Sequence, residues 1–210
     1  MSSWRAGNRQ GLSLSLACAW LFLPTQALAH GAVPGMKGFL SGLIHPLMTP
    51  AHVLLLLATG LLAGQLASRR LGPLMLLFMP FSALALALTA RFAMPTWMQL
   101  VVLLLALVYA LLVAVSVRLT NTAVAALFAI AAAALGLDSG VADGATVKSV
   151  LVTLAGTWIG LNLFAINLAY YTAILPRKIW LLTGIRVAGS WIAAICFMVI
   201  AFALRDMHLF

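Results

Sequence analysis

Two imidazoles flank two prolines in the run His45-Pro46-Leu47-Met48-Thr49-Pro50-Ala51-His52. Neutral imidazole is a good ligand for transition metals, so this run is the first place to look for chemistry. In an unbroken helix, positions 45 and 52 would share a face but stand about 10.5 Å apart along the axis. That is too far for both rings to reach one ion. The prolines change the geometry, because each lacks an N–H and disfavours helix in the residue before it. A broken or re-entrant stretch would free carbonyls beside the histidines, and broken helices within a bilayer are where transporters build ion sites. The alternative is that Pro46 and Pro50 mark only the junction between an interfacial helix near 38–45 and a span beginning at 50.

Few other side chains qualify. Asp138, at the outer end of an apolar run, is either an attractant for a cation or a solvated loop residue. Asn162 and Asn167 lie inside another run; five residues apart, they stand about 140° from each other on a helix, so at most one faces a given partner. Ordinary interhelical bonding accounts for either of them as well as lining a path does. Arg186 lies about two turns into the last run, where it either snorkels to the interface or pairs with carbonyls in the bundle. Met36, Met48, Met75, Met79, Met94 and Met98 are soft ligands in principle, but methionine is also an ordinary filler of apolar helices.

The elements that must position these groups are membrane helices. The 210 residues are 65% hydrophobic and only 7% charged, with a mean hydropathy of +1.16, far outside soluble composition. Three aspartates, Asp138, Asp143 and Asp206, are the only acidic residues. They supply no paired carboxylates, and there is no His-Glu-x-x-His and no Gly-x-Ser-x-Gly, so an enzyme is not expected. The net charge of +9 comes from cations placed one or two at a time between apolar runs. They read as topology signals, not as a nucleic-acid surface.

Residues 1–29 have a basic start (Arg5, Arg9), an apolar stretch from Gly11 to Leu23, Pro24, and Ala27-Leu28-Ala29 as a small-x-small cleavage site, which predicts a cleaved signal peptide. The mature domain would be 30–210, beginning at His30, whose free amine and imidazole would together chelate copper or nickel. Cys18 would leave with the signal and Cys196 would stand alone, so no disulfide is expected within one chain. Apolar runs at about 39–66, 71–89, 98–117, 122–137, 149–175 and 179–204 predict an all-α polytopic bundle of six transmembrane helices.

With both termini outside, Arg69, Arg70, Arg118, Arg177 and Lys178 fall in the cytoplasm, and Lys37, Arg91, Lys148 and Arg205 outside. Trp97, Trp158 and Trp180 fall near the margins of the runs and read as interfacial anchors. Gly38-x-x-x-Gly42, Gly60-x-x-x-Gly64 and Gly156-x-x-x-Gly160 place small residues on one face, as close helix packing requires, though a chain rich in Ala, Gly and Leu produces this spacing by chance as well.

The run His30-Gly31, then Gly38-Phe39-Leu40-Ser41-Gly42-Leu43-Ile44-His45-Pro46-Leu47, His52 and Leu54 to Gly64 resembles the HupE/UreJ family of bacterial membrane proteins. Arg186-Val187-Ala188-Gly189 looks like the closing Arg-x-x-Gly pattern of that family. The resemblance implies a signal peptide, about six spans in the inner membrane, and nickel or cobalt supply to hydrogenase and urease. It also departs from the pattern. Ala51 replaces the acidic residue before the second histidine, Thr49 replaces a glycine, and Ala134-Leu135-Gly136-Leu137-Asp138 keeps the glycine and an acid but lacks the histidine.

Two functions follow as expectations. One is a permease for a divalent transition metal, nickel or cobalt by resemblance, with copper a further candidate. His45, His52, His30 and Asp138 would contact the ion, and no cofactor would be held permanently. Nothing resembles a Gly-x-x-x-x-Gly-Lys loop, so transport would not be driven by ATP. The other is a non-transporting subunit of a larger membrane metalloenzyme complex. Expected partners are the lipid bilayer, a transition-metal ion, and a membrane complex or a second copy of the chain.

Overall fold

In a computed structural model, residues 38–65, 71–92, 94–140 and 146–207 are described. The expected signal peptide, its expected cleavage site and His30 lie outside these residues, as do Arg69 and Arg70. Among the described residues there are seven α-helices and no strand. They are α1 (Phe39–Met48), α2 (Pro50–Gln65), α3 (Leu71–Thr89), α4 (Met98–Val115), α5 (Asn121–Leu137), α6 (Val147–Ile174) and α7 (Ile179–Met207).

The first apolar run is divided where the prolines suggest. Thr49 is extended at φ −98° and ψ 109°, because the ring of Pro50 excludes helical geometry from the residue before it. Pro50 itself opens α2, a position where its missing N–H costs nothing. The axes of α1 and α2 are bent by 73° at this single-residue break. The Thr49 N–H and hydroxyl both bond the His45 carbonyl, and Val53 N–H bonds Thr49 O, so the break keeps its backbone groups satisfied.

Around this bent pair the other helices close. α2 packs between α6 and α4, α7 covers the far side of α4, and α3 joins α6 to α5. Eleven of the sixteen residues of α2 are buried, whereas the membrane-length windows of α3, α4, α6 and α7 are only 28%, 33%, 39% and 28% buried. An apolar helix so enclosed is the core, and its half-exposed apolar neighbours are suited to lipid.

The small-residue motifs make the closest approaches. A Cβ at Gly42 would collide with Thr153 O, one at Gly156 with Phe39 O and one at Gly160 with Leu43 O, so the backbones of α1 and α6 touch. Gly60 and Gly64 do the same for α2 against Leu168 and Thr172 of α6. Only Gly38 is not at a close contact; its φ of +64° instead suits the turn before α1.

Four helices, α3, α4, α6 and α7, are long and apolar enough to cross a membrane, and the bent pair makes five. α5, at seventeen residues, is shorter. The sequence reading of Trp158 as an interfacial anchor is corrected. Its ring is half-buried and donates Nε1–H to Met79 O of α3 at 3.1 Å, tying α6 to α3. Trp97 and Trp180 are exposed at helix starts, as anchors would be.

Candidate functional site

The bend folds His45 and His52 towards each other. Their ring centroids stand 5.3 Å apart, edge to face, where a straight helix would separate them by about 10.5 Å of axial rise. His52 is fully buried, in the first turn of α2. Its Nε2 lies 2.9 Å from Oδ2 of Asp138, at the C-terminus of α5. The Asp138 side chain is only 12% exposed.

This pairing has an electrostatic reason. A carboxylate at a helix C-terminus faces the negative end of the peptide dipoles, an unfavourable position. Here the N-terminal turn of α2, with its positive end and the His52 N–H, meets it. When Nε2–H donates to Asp138, the proton is fixed on that nitrogen and Nδ1 carries the lone pair. His52 Nδ1 is buried and has no hydrogen-bond partner among the described residues. A carboxylate holding one ring nitrogen so that the other is offered to an ion is the arrangement found behind metal-ligating histidines. Three of the four residues named as metal contacts from sequence are thus neighbours, and His30 lies outside the described residues. They do not form a cage: among the described residues no three His, Cys, Asp or Glu side chains are grouped to hold one metal ion.

The remaining candidates lie apart from this group and make hydrogen bonds within the bundle. Asn162 is buried on α6, donating to Trp158 O at 2.8 Å and to Ser82 Oγ of α3 at 3.3 Å, while its Oδ1 has no partner among the described residues. Asn167 turns away and bonds Leu163 O of its own helix at 2.7 Å. Arg186 donates Nε–H to Ala114 O at 3.0 Å. Of its two sequence readings, pairing with a bundle carbonyl is the one observed. The approach is close because Gly189, one turn on, touches the α4 backbone at Ala110 and Ala114. Ser82 and Gln65 were not singled out from sequence. Gln65 donates Nε2–H to Val113 O at 2.9 Å and, like Arg186, caps a carbonyl at the end of α4. A polar residue at the end of an apolar run is a signal for such a cap.

The chain matches the HupE / UreJ protein family over residues 18–199 and belongs to that family. No curated protein and no solved structure matches the chain. Family membership and the apolar helices together make this a multi-pass membrane protein.

Proposed function

We propose that the chain is a membrane permease for a divalent transition-metal ion, nickel or cobalt in keeping with its family, with copper a further candidate. The observation that carries this reading is the proline break that sets His45 beside His52 while Asp138 orients the His52 ring. The ion is cargo in this reading. It meets His45 and the Nδ1 lone pair of His52, and Asp138 acts as a positioning residue. Two imidazoles without a third ligand would hold an ion briefly, which suits passage better than storage.

The path requires six crossings, and the helix ends support that number. Gln65, ending α2, bonds Val113 O and Ser116 at the end of α4, and α5 starts five residues after Ser116. α5 then reaches the level of His52 at Asp138. It therefore covers the same depth as α2, about 25 Å at 1.5 Å per residue, within the range for a transmembrane helix. The face with Asp138 would be the outer side of the bacterial inner membrane, and both termini would lie there. A cleaved signal at 1–29 is part of the same proposal.

One observation favours the second reading, a non-transporting accessory subunit of a larger membrane metalloenzyme complex. His52 Nε2 is already engaged with Asp138, and no three-ligand group exists among the described residues. The pair would then lock α2 to α5 structurally.

Accumulation of radioactive nickel, cobalt and copper separates the readings. It is measured in cells with the wild-type chain and with His45→Ala/His52→Ala at matched membrane levels. Uptake by the wild type that is lost in the double variant is the expected result. Absence of uptake from well-inserted wild-type protein would remove the permease and leave the accessory subunit.

A further inference from the structure

At the end of the bundle opposite Asp138, a cavity of about 460 Å³ opens between α2, the turn after α4 and the first turns of α7. Arg118, Arg186, Gln65 and Ser116 line it together with the apolar Val117 and Leu182. We propose that this cavity binds a phosphate group, carried by an anionic phospholipid or as the free anion. The proposal is independent of the metal path.

Several observations converge on this chemistry. Arg186 is fixed by its Nε bond to Ala114 O, which leaves the Nη donors of a planar fork presented in one orientation. Arg118 has neither an ion pair nor a hydrogen bond among the described residues. Of the three aspartates, Asp138 caps the opposite end of α5, Asp206 lies in the last turn of α7, and Asp143 lies outside the described residues. Two guanidinium groups therefore line one cavity in which no carboxylate stands among the described residues, an excess of positive charge that an anion would offset. Arginine is the side chain best matched to phosphate oxygens.

The rest of the wall is built to hold shape. Ser116 adopts the left-handed conformation at φ 54°, and Val117 N–H reaches back to Leu112 O, closing α4 in a Schellman turn. Gln65 Nε2 donates to Val113 O and to Ser116 Oγ. Apolar Val117 and Leu182 next to the cations provide a surface for the glycerol and first methylenes of a lipid. Basic pockets between membrane helices are where anionic headgroups settle.

The test uses the full chain, delipidated in detergent and titrated with phosphatidylglycerol or phosphatidylcholine, with bound lipid counted by native mass spectrometry. A parallel titration adds inorganic phosphate. Phosphatidylglycerol should bind selectively, and Arg118→Gln and Arg186→Gln should each weaken it about fivefold, as expected for one cation near a phosphate. The surface pair Arg177→Gln/Lys178→Gln should leave it within twofold. Arg186→Gln also removes a cap from α4, so Arg118→Gln decides if that variant fails to fold. Displacement of the lipid by millimolar phosphate would support the free anion as the occupant, and resistance to displacement would support the lipid. Equal binding of the two lipids with no effect of inorganic phosphate, or an Arg118→Gln variant indistinguishable from wild type, would overturn the proposal.

Discussion

Asp138 sits where a carboxylate is least welcome on α5, and its partner lies 86 residues earlier in the chain. That distance explains what the sequence could and could not reveal. His45 and His52 announce themselves by sharing one short run with two prolines, so a break was legible as one of two readings, while the meeting of the rings came only with the fold. A lone aspartate after an apolar run reads equally well as a solvated loop residue, and only the fold, which brings the end of α5 to the start of α2, sets it against His52. The prediction follows from that role. Asp138→Asn keeps the size of the side chain but accepts far more weakly from His52 Nε2–H, so the ring loses its fixed tautomer. Metal uptake at limiting concentration should fall 10- to 100-fold, the usual effect of removing the group behind a ligating histidine. Asp138→Glu should recover part of it. Unchanged uptake in Asp138→Asn would show that His52 needs no orientation from this carboxylate.

At the scale of the elements, Pro50 and the glycines of α1 and α6 act together. Pro50 holds Thr49 extended, and the resulting 73° bend sends α1 across the first half of α6, while α2 follows the second half. The three small-residue motifs were legible as spacings, but their partners were not, because a spacing states that a face is narrow without stating what lies on it. Gly156 meets the backbone of Phe39 and Leu43, and backbone cannot rotate aside as a side chain can. Gly156→Leu should therefore destabilise the bundle by about 1–3 kcal/mol or more, read as a lowered melting temperature in detergent. Gly184, in open space on α7, is the control. Gly184→Ala should be neutral or slightly stabilising, since alanine is the better helix former by about 1 kcal/mol. Similar melting of the two variants would mean that α1 does not press on α6. Pro50→Ala tests the bend itself. With the N–H restored, α1 and α2 can run on as one helix and separate the histidines, so uptake should drop although both rings remain. Full activity in this variant would detach function from the break.

The described helices form a bundle with two unlike ends. One carries the His45, His52 and Asp138 group, with Arg91, Lys148 and Arg205 at helix ends on the same side. The other carries Arg118, Arg177, Lys178 and Arg186, and α4 ends there capped by residues from α2 and α7. The hydropathy of the chain reveals the helices and nearly all their bounds, yet α5, at seventeen residues, stays below the length of the other spans. Six crossings then rest on the contact of His52 with Asp138 and on those of Gln65 with the end of α4, just before α5, and sidedness tests them directly. In a Cys18→Ser/Cys196→Ser background, which removes both native thiols of the chain, single cysteines replace Gly140 after α5 and Lys178 before α7. An impermeant maleimide added to intact spheroplasts should label the first and spare the second, and membranes opened by detergent should label both. If α5 dips into the bilayer without crossing, α6 still crosses, so the cysteines at 140 and 178 lie on opposite sides in either case. A third cysteine at Arg118 settles that case. Labelling at 140 but not at 118 means that α5 crosses and that the histidine group faces outwards; equal labelling at 118 and 140 would put both ends of α5 on one side and remove the sixth span.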